Sequence, residues 1–305
     1  MGEVNDTIAG LVSIAIPAYK KTFLGEAIES ALGQNYHNIE LIIVNDNSPY
    51  DIDSIVAQYN DSRIRYYKNA ENLGAKSIVL NWNRCLSYAR GEFFVLLCDD
   101  DILMSNFVTE LLKLARKYER CNVFHARKIN KFINGEEKLS PLWPEYESYH
   151  DFINNHFSKK RFHTISEFLY RTQKIKKEGF LVFPMGFYSD NASILNWVKE
   201  GIVSSETALC VFRFSDEHIS SNANRAYNDG KVQAAIQYWK WVQKFEEFEQ
   251  NKSLIKEDVE STVYNAFKNS NLGKCFLILW MVPNDMISFK HKLGFIVSLL
   301  KNRRL

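Results

Sequence analysis

From Leu11 to about Arg127, short apolar runs alternate with longer stretches of helical periodicity, and this alternation restricts the fold more than any other feature of the chain. The runs Leu11 to Ile16, Ile39 to Val44, Ile64 to Tyr67, Glu92 to Leu97 and Asn122 to His125 predict strands. The stretches Phe23 to Leu32, Ile52 to Tyr59, Ala75 to Ala89 and Asn106 to Arg120 predict helices. Strands that are apolar on both faces and separated by helices imply an α/β fold. A parallel strand needs a crossover to return, and the crossover helices bury the sheet. On such sheets ligands bind beyond the carboxyl ends of the strands.

Three of these ends carry polar or turn-forming residues: Pro17-Ala18-Tyr19, Asn45-Asp46-Asn47-Ser48, and Cys98-Asp99-Asp100-Asp101, which closes Phe93-Phe94-Val95-Leu96-Leu97. Three carboxylates released together at a buried strand tip repel one another, and they are expected where a cation or strongly polar ligand compensates them. One acid here would serve as an N-cap for a helix starting near Met104 or Ser105, and Asp101 keeps that role open. Three in succession exceed what a cap requires, so the cluster is expected to be a metal-diphosphate site. No G-x-G-x-x-G follows the first strand and no G-x-x-x-x-G-K-[ST] occurs, so a nucleotide would be held by neither of those loops.

At 305 residues and 46% hydrophobic content, the chain has the composition of a soluble globular protein with a large core. Its 38 basic and 36 acidic residues nearly cancel, which gives no general signal for nucleic acid. Cys85, Cys98, Cys121, Cys210 and Cys275 are scattered without a C-x-x-C pair, against a zinc site or disulfide framework and in favour of a reducing cytoplasm. The polar Met1 to Gly10 lacks the regions of a signal peptide, and no apolar stretch reaches bilayer-spanning length. Between about Lys128 and Arg171 the chain is irregular, aromatic and charged, which predicts a binding loop or lid. After Asn224 it turns helical to the end. Leu293, Phe295, Ile296, Val297, Leu299 and Leu300 lie among Lys290, Lys292, Lys301, Arg303 and Arg304. That segment fits a terminal helix packed on the body, or a basic amphipathic helix in peripheral contact with the inner face of a membrane.

The segments Val12 to Tyr19, Glu40 to Ser48, Asn72-Leu73-Gly74, and Gly91-Glu92-Phe93 running into the acidic cluster resemble, in order, the motifs of the inverting family 2 glycosyltransferases. The likeness is close to about residue 125 and weaker to about Ser220. It implies a GT-A type, Rossmann-like, mixed but mostly parallel sheet flanked by helices over residues 1–224, followed by a helical C-terminal extension over 225–305.

The resemblance also implies roles. Pro17, Ala18 and Tyr19 would line a nucleoside pocket and Asp46 would hydrogen-bond the base, while Lys76 and Arg213 would contact the donor. Asp100 would hold Mn²⁺ or Mg²⁺, with Asp99 as a ribose or second metal contact. Asp190, between a glycine-containing stretch and a helix, would be the base that deprotonates the acceptor, although it also suits an N-cap. The sequence departs from the family pattern at Asn45, at Cys98, at Ser189 and at Ser215, which stands at a histidine position three residues before His218. The expected activity is metal-dependent, inverting transfer from a nucleotide-sugar, by analogy a UDP-sugar, to a glycan or lipid-linked glycan, as in cell-surface polysaccharide synthesis. The alternative is a nucleotide-sugar binding or scaffold protein that has lost catalysis. A nucleotidyltransferase would need a glycine-rich loop where Pro17-Ala18-Tyr19-Lys20-Lys21 stands.

Overall fold

A computed structural model describes residues 7–74, 77–214, 225–268 and 278–302. In chain order the elements are β1 (Ile8–Ala18), α1 (Leu24–Leu32), β2 (Ile39–Asn45), α2 (Ile52–Val56), β3 (Ile64–Lys68), α3 (Ile78–Tyr88), β4 (Gly91–Leu96), β5 (Ile102–Leu103) and α4 (Phe107–Lys117). Then come β6 (Val123–Lys131), β7 (Glu137–Leu139), β8 (Tyr146–Glu147), α5 (Tyr149–Phe157), β9 (Phe168–Arg171), α6 (Thr172–Glu178), α7 (Ser189–Trp197) and β10 (Ile202–Arg213). Helices α8 (Arg225–Val242), α9 (Phe248–Lys268) and α10 (Phe289–Asn302) follow.

The strands form one mixed sheet in the order β3-β2-β1-β4-β9-β6-β10-β5, with β7 on β6 and β8 on β10. The β3-β2-β1-β4 half is wholly parallel, as the apolar runs predict, and β10 also runs parallel to β6. Every residue of β2 is buried, and so are Leu11 to Ile16 of β1, because helices cover both faces. β9 lies antiparallel between β4 and β6 and makes the sheet mixed.

The register fixes where the site forms. Ala18 pairs with Asn45 and Ala15 with Leu96, and Leu97 N donates to Ala15 O at 2.9 Å, so β1, β2 and β4 end side by side on one rim. At the opposite end of β4, Gly91 passes so close to β1 that a Cβ would stand 2.5 Å from Leu11 O. Its N–H donates at 2.8 Å to Ser13 Oγ, which in turn donates at 2.6 Å to the buried Glu40. Burial opposes ionisation of Glu40, but Ser13, Arg90 N–H and Arg65 outweigh it and hold the carboxyl below its usual range.

The stretch from Lys128 to Arg171 differs from its expected irregularity, since β6 continues to Lys131 and β7, β8, α5 and β9 follow. β7 is fully exposed and so lacks the apolar alternation that marks a strand, while Phe168, Leu169 and Tyr170 are buried on both faces in only four residues.

The chain divides into two compact units. The first comprises Met1–Phe152, His163–Val182 and Asp190–Asp216 and contains the sheet. The second comprises Ile153–Phe162, Phe183–Ser189 and Glu217–Leu305. It is helical, with Trp239 edge-on to Phe248 and Tyr188 stacked on Tyr238 at 4.4 Å. Among the described residues no helix is long and apolar enough to cross a membrane.

Candidate active site

The turn after β1 and the acidic cluster after β4 are joined through Asp99. Its Oδ2 accepts from the main-chain N–H of Tyr19 at 2.8 Å and of Lys20 at 2.7 Å. Lys20 Nζ stands 3.3 Å from Asp99 Oδ1 and donates to Asp100 Oδ2. Asp101 turns the other way: Ser166 Oγ donates to its Oδ2 at 2.6 Å, and Arg213 N–H donates to its Oδ1 at 3.1 Å. Ala18 is buried beneath this turn, while the Tyr19 side chain is exposed at the rim.

All three carboxylates are buried, with Asp101 only 1% exposed. Burial, opposed by Lys20 and reinforced by Asp100, raises the Asp99 carboxyl above its usual range. Burial followed by the Asp100 charge pushes Asp101 up to about 7. The arginine nearest the cluster, Arg213, directs Nη2 to Glu26 at 2.7 Å, lies 3.9 Å over the Phe23 ring, and donates from Nε to Asp100 O at 3.1 Å. Its guanidinium thus ties α1 to the strand end. The Lys20 ammonium is placed on the Asp99 and Asp100 carboxylates themselves.

Asp99 and Asp100 share the Lys20 ammonium, and Asp101 is buried beside them, so carboxylates crowd a dry strand end, and that is the crowding a divalent cation relieves. Cys98, Asp100 and Asp101 place one ligand atom each within 4.8 Å of one another. The oxygen donors suit a hard ion such as Mn²⁺ or Mg²⁺, which takes one or two carboxylates together with phosphate oxygens and water. The residues fit such an ion.

Asp46 directly follows β2 on the same rim. Its Oδ1 accepts from Asn69 Nδ2 at 2.8 Å and from Leu73 N–H at 2.9 Å, and its Oδ2 accepts from Gly74 N–H at 2.7 Å. The Asn72-Leu73-Gly74 segment is therefore the loop that fixes this carboxylate. A carboxylate has about four lone-pair sites, so capacity for a further donor remains. Gly74 is needed for the approach, because a Cβ there would lie 2.9 Å from Asp46 Oδ2.

Asp190 stands in the first turn of α7, where its Oδ1 accepts from Asn191 N–H at 2.8 Å. It keeps partial access to solvent, yet the protein packed around its carboxylate raises its pKa by desolvation. Lys128 Nζ on β6 lies 2.7 Å from Glu167 Oε2 and 2.9 Å from Oε1, and the two are electrostatic neighbours of Asp190. Asn83, on α3, clamps the main chain at Phe180, donating to its O at 2.9 Å and accepting from its N at 2.8 Å. Lys76, Ser215 and His218 lie outside the described residues.

The structure thus brings Pro17, Ala18, Tyr19, Asp46, Asp99 and Asp100 to one rim. Sequence reasoning missed Lys20, Ser166, Lys128 and Glu167. Lys20 directly follows Tyr19 at the strand end, so its position was readable. Thr164-Ile165-Ser166-Glu167 has the spacing of a capping box, and Glu167 does accept from Thr164 N–H at 2.6 Å.

The family model described as glycosyl transferase family 2 matches residues 13–179. The GalNAc(5)-diNAcBac-PP-undecaprenol beta-1,3-glucosyltransferase of Campylobacter jejuni is 25% identical over 323 residues, covering 95% of this chain and 99% of its own length. The Escherichia coli UDP-Glc:alpha-D-GlcNAc-diphosphoundecaprenol beta-1,3-glucosyltransferase WfaP is 41% identical over 92 residues, or 30% of this chain and 36% of that protein. Among solved structures, S. aureus TarS in complex with UDP-GlcNAc superposes with a TM-score of 0.64 at 16% identity, over 90% of this chain and 82% of that one. That likeness is one of fold, a GT-A type α/β sheet flanked by helices.

Proposed function

This chain belongs to glycosyl transferase family 2 and is a glycosyltransferase, and from that premise we propose that it moves a glucosyl residue from UDP-glucose, with inversion, to a hydroxyl of a glycan carried on a polyprenyl diphosphate. The observation that carries the proposal is the rim itself, where three buried carboxylates, one ammonium and the Asp46 loop meet at the ends of three parallel strands. Its substrate class is supported by the C. jejuni relative, matched over almost the full length of both chains, and by WfaP, whose name specifies UDP-Glc and an undecaprenol-linked acceptor.

In this proposal Asp46 accepts from a base N–H and Tyr19 covers the nucleoside, so the base is read by both its edge and its face. Asp100, with Asp99 or Asp101 beside it, would hold a divalent ion whose chemistry is to neutralise the diphosphate leaving group. With Asp100 given to the ion, the Lys20 ammonium that now pairs with it would be available to a phosphate oxygen. Asp190 takes the proton of the acceptor hydroxyl. The acceptor oxygen bonds to C1 on the face opposite the nucleotide, the C1–O bond to the diphosphate breaks, and UDP carries away the electron pair. UDP-glucose is an α-glycoside, so a β-linked product, of the kind both relatives are named for, follows from this single displacement.

The test is to supply UDP-glucose, UDP-GlcNAc, UDP-galactose and GDP-mannose in turn, with Mn²⁺ and a GlcNAc-diphosphate-polyprenol acceptor, and to read the new anomeric linkage by NMR. A β-glucoside formed from UDP-glucose is expected. An α-linked product, transfer from GDP-mannose alone, or donor binding with no transfer to any polyprenyl-linked acceptor would overturn the proposal.

A further inference from the structure

Helix α10 has two different faces. Phe295 and Ile296 pack on Phe267 and Leu279, with Tyr264 and Phe295 rings 4.9 Å apart, while Lys292 points inward and donates to Val282 O and, at 2.9 Å, to Asn284 Oδ1. These contacts fasten the helix within the second unit. A second stripe, Phe289, Leu293 and Val297, follows the i, i+4, i+8 spacing of one helix face and is 67%, 46% and 51% exposed. Large apolar residues gathered on one face mark a surface that something covers.

The charge of this segment identifies what covers it. From Met286 to Leu305 the chain carries, besides the inward Lys292, the cations Lys290, Lys301, Arg303 and Arg304 and no Asp or Glu. In a two-fold dimer the patch would face itself and set these cations against one another. An apolar stripe among cations matches an anionic bilayer, into which such a helix sinks to about 5–10 Å, below the headgroups, while its cations stay among them.

We propose that the Phe289, Leu293 and Val297 face of α10 docks the enzyme on a membrane of anionic phospholipid. The proposal rests on the preceding one for its purpose, because a lipid-linked acceptor confines the reaction to the bilayer surface. It does not rest on it for its test.

The full chain is sedimented with vesicles of phosphatidylcholine containing phosphatidylglycerol, with vesicles of phosphatidylcholine alone, and with no vesicles; none of them contains a glycan acceptor. Binding to the anionic vesicles is expected. It should weaken at least about tenfold in the Leu293→Glu/Val297→Glu variant and fall as salt is raised, since both the apolar and the charge contributions are needed. Circular dichroism and the melting temperature of the variant should match wild type, because both side chains are exposed. No preference for anionic vesicles, undiminished binding by the variant, or a wild-type dimer in light scattering that the variant abolishes would each overturn the membrane proposal. Transfer to a detergent-dispersed acceptor separates the two proposals. A protein that binds vesicles but transfers nothing refutes the acceptor proposal alone; one that transfers but ignores vesicles refutes the docking surface alone.

Discussion

Replacing Lys128 with methionine should destabilise the protein in a way that depends on pH, and the structure gives the size. Lys128 and Glu167 are 1% and 0% exposed and sit 2.7 Å apart. Burial, opposed by Lys128, pushes the Glu167 carboxyl up to about 7 from 4.5. A folded-state pKa above the unfolded one means that the neutral acid is favoured by folding. Its contribution to stability is therefore full below about 4.5 and is lost as pH rises through about 7. Without the ammonium the folded pKa rises further, so the variant goes on losing stability above pH 7 where the wild type has stopped. At about 1.4 kcal/mol per pH unit, the extra loss reaches about 3 kcal/mol at pH 9, within the range for breaking a buried pair. Near pH 6 Glu167 is neutral in both proteins and the difference should stay within about 1 kcal/mol, since methionine keeps much of the lysine stem. Urea unfolding at pH 6 and pH 9 measures both values. Lys128→Met/Glu167→Gln should abolish the pH dependence and return to within about 1 kcal/mol of wild type at pH 9. An equal loss at both pH values would refute the reasoning, because it would assign the effect to packing and not to a stranded charge.

Three further outcomes follow from the site and the sheet. Asp190→Asn should lower kcat by about 10²–10⁴-fold with unchanged affinity for UDP; the wild-type acid limb of kcat/KM for the acceptor should lie above the ordinary carboxylate range, because burial raises Asp190 and the base form is lost below that pKa. Gly74→Ala places a Cβ 2.9 Å from Asp46 Oδ2 and should weaken UDP binding about tenfold in calorimetry, the equivalent of one displaced hydrogen bond, with little change in melting temperature. Gly91→Ala sets a Cβ 2.5 Å from Leu11 O and 2.8 Å from Ser13 N, both main chain in a parallel ladder, and should cost about 3 kcal/mol or more, read as a lowered melting temperature.

The parallel half of the sheet was legible because each of its strands is a continuous apolar run, and burial on both faces leaves that signature in the sequence. β9 was not, since Phe168, Leu169 and Tyr170 make too short a run to stand out from an aromatic neighbourhood, and its place between β4 and β6 is a long-range choice. At the site, Asp99 and Asp100 were readable from the electrostatic cost of their clustering. Their partners were less so. The bond from Ser166 to Asp101 spans 65 residues, and the tie from Arg213 to the acidic strand end spans 112. Neither leaves a local pattern, because both exist only once the sheet has formed. The role of Gly74 is similar: a glycine in Asn72-Leu73-Gly74 reads as a turn, and only the fold shows Asp46 against its N–H.

If the carboxylates at the end of β4 hold a divalent ion against the diphosphate of a uridine nucleotide, UDP binding must depend on both the metal and Asp100, and calorimetric titration of UDP reads this. With Mn²⁺ present the wild-type protein should bind UDP at least about tenfold more tightly than in EDTA, a difference of about 1.4 kcal/mol, and Asp100→Ala should lose that gain while keeping the metal-free affinity. Equal affinity in Mn²⁺ and EDTA, or a metal-dependent gain that survives in Asp100→Ala, would contradict it.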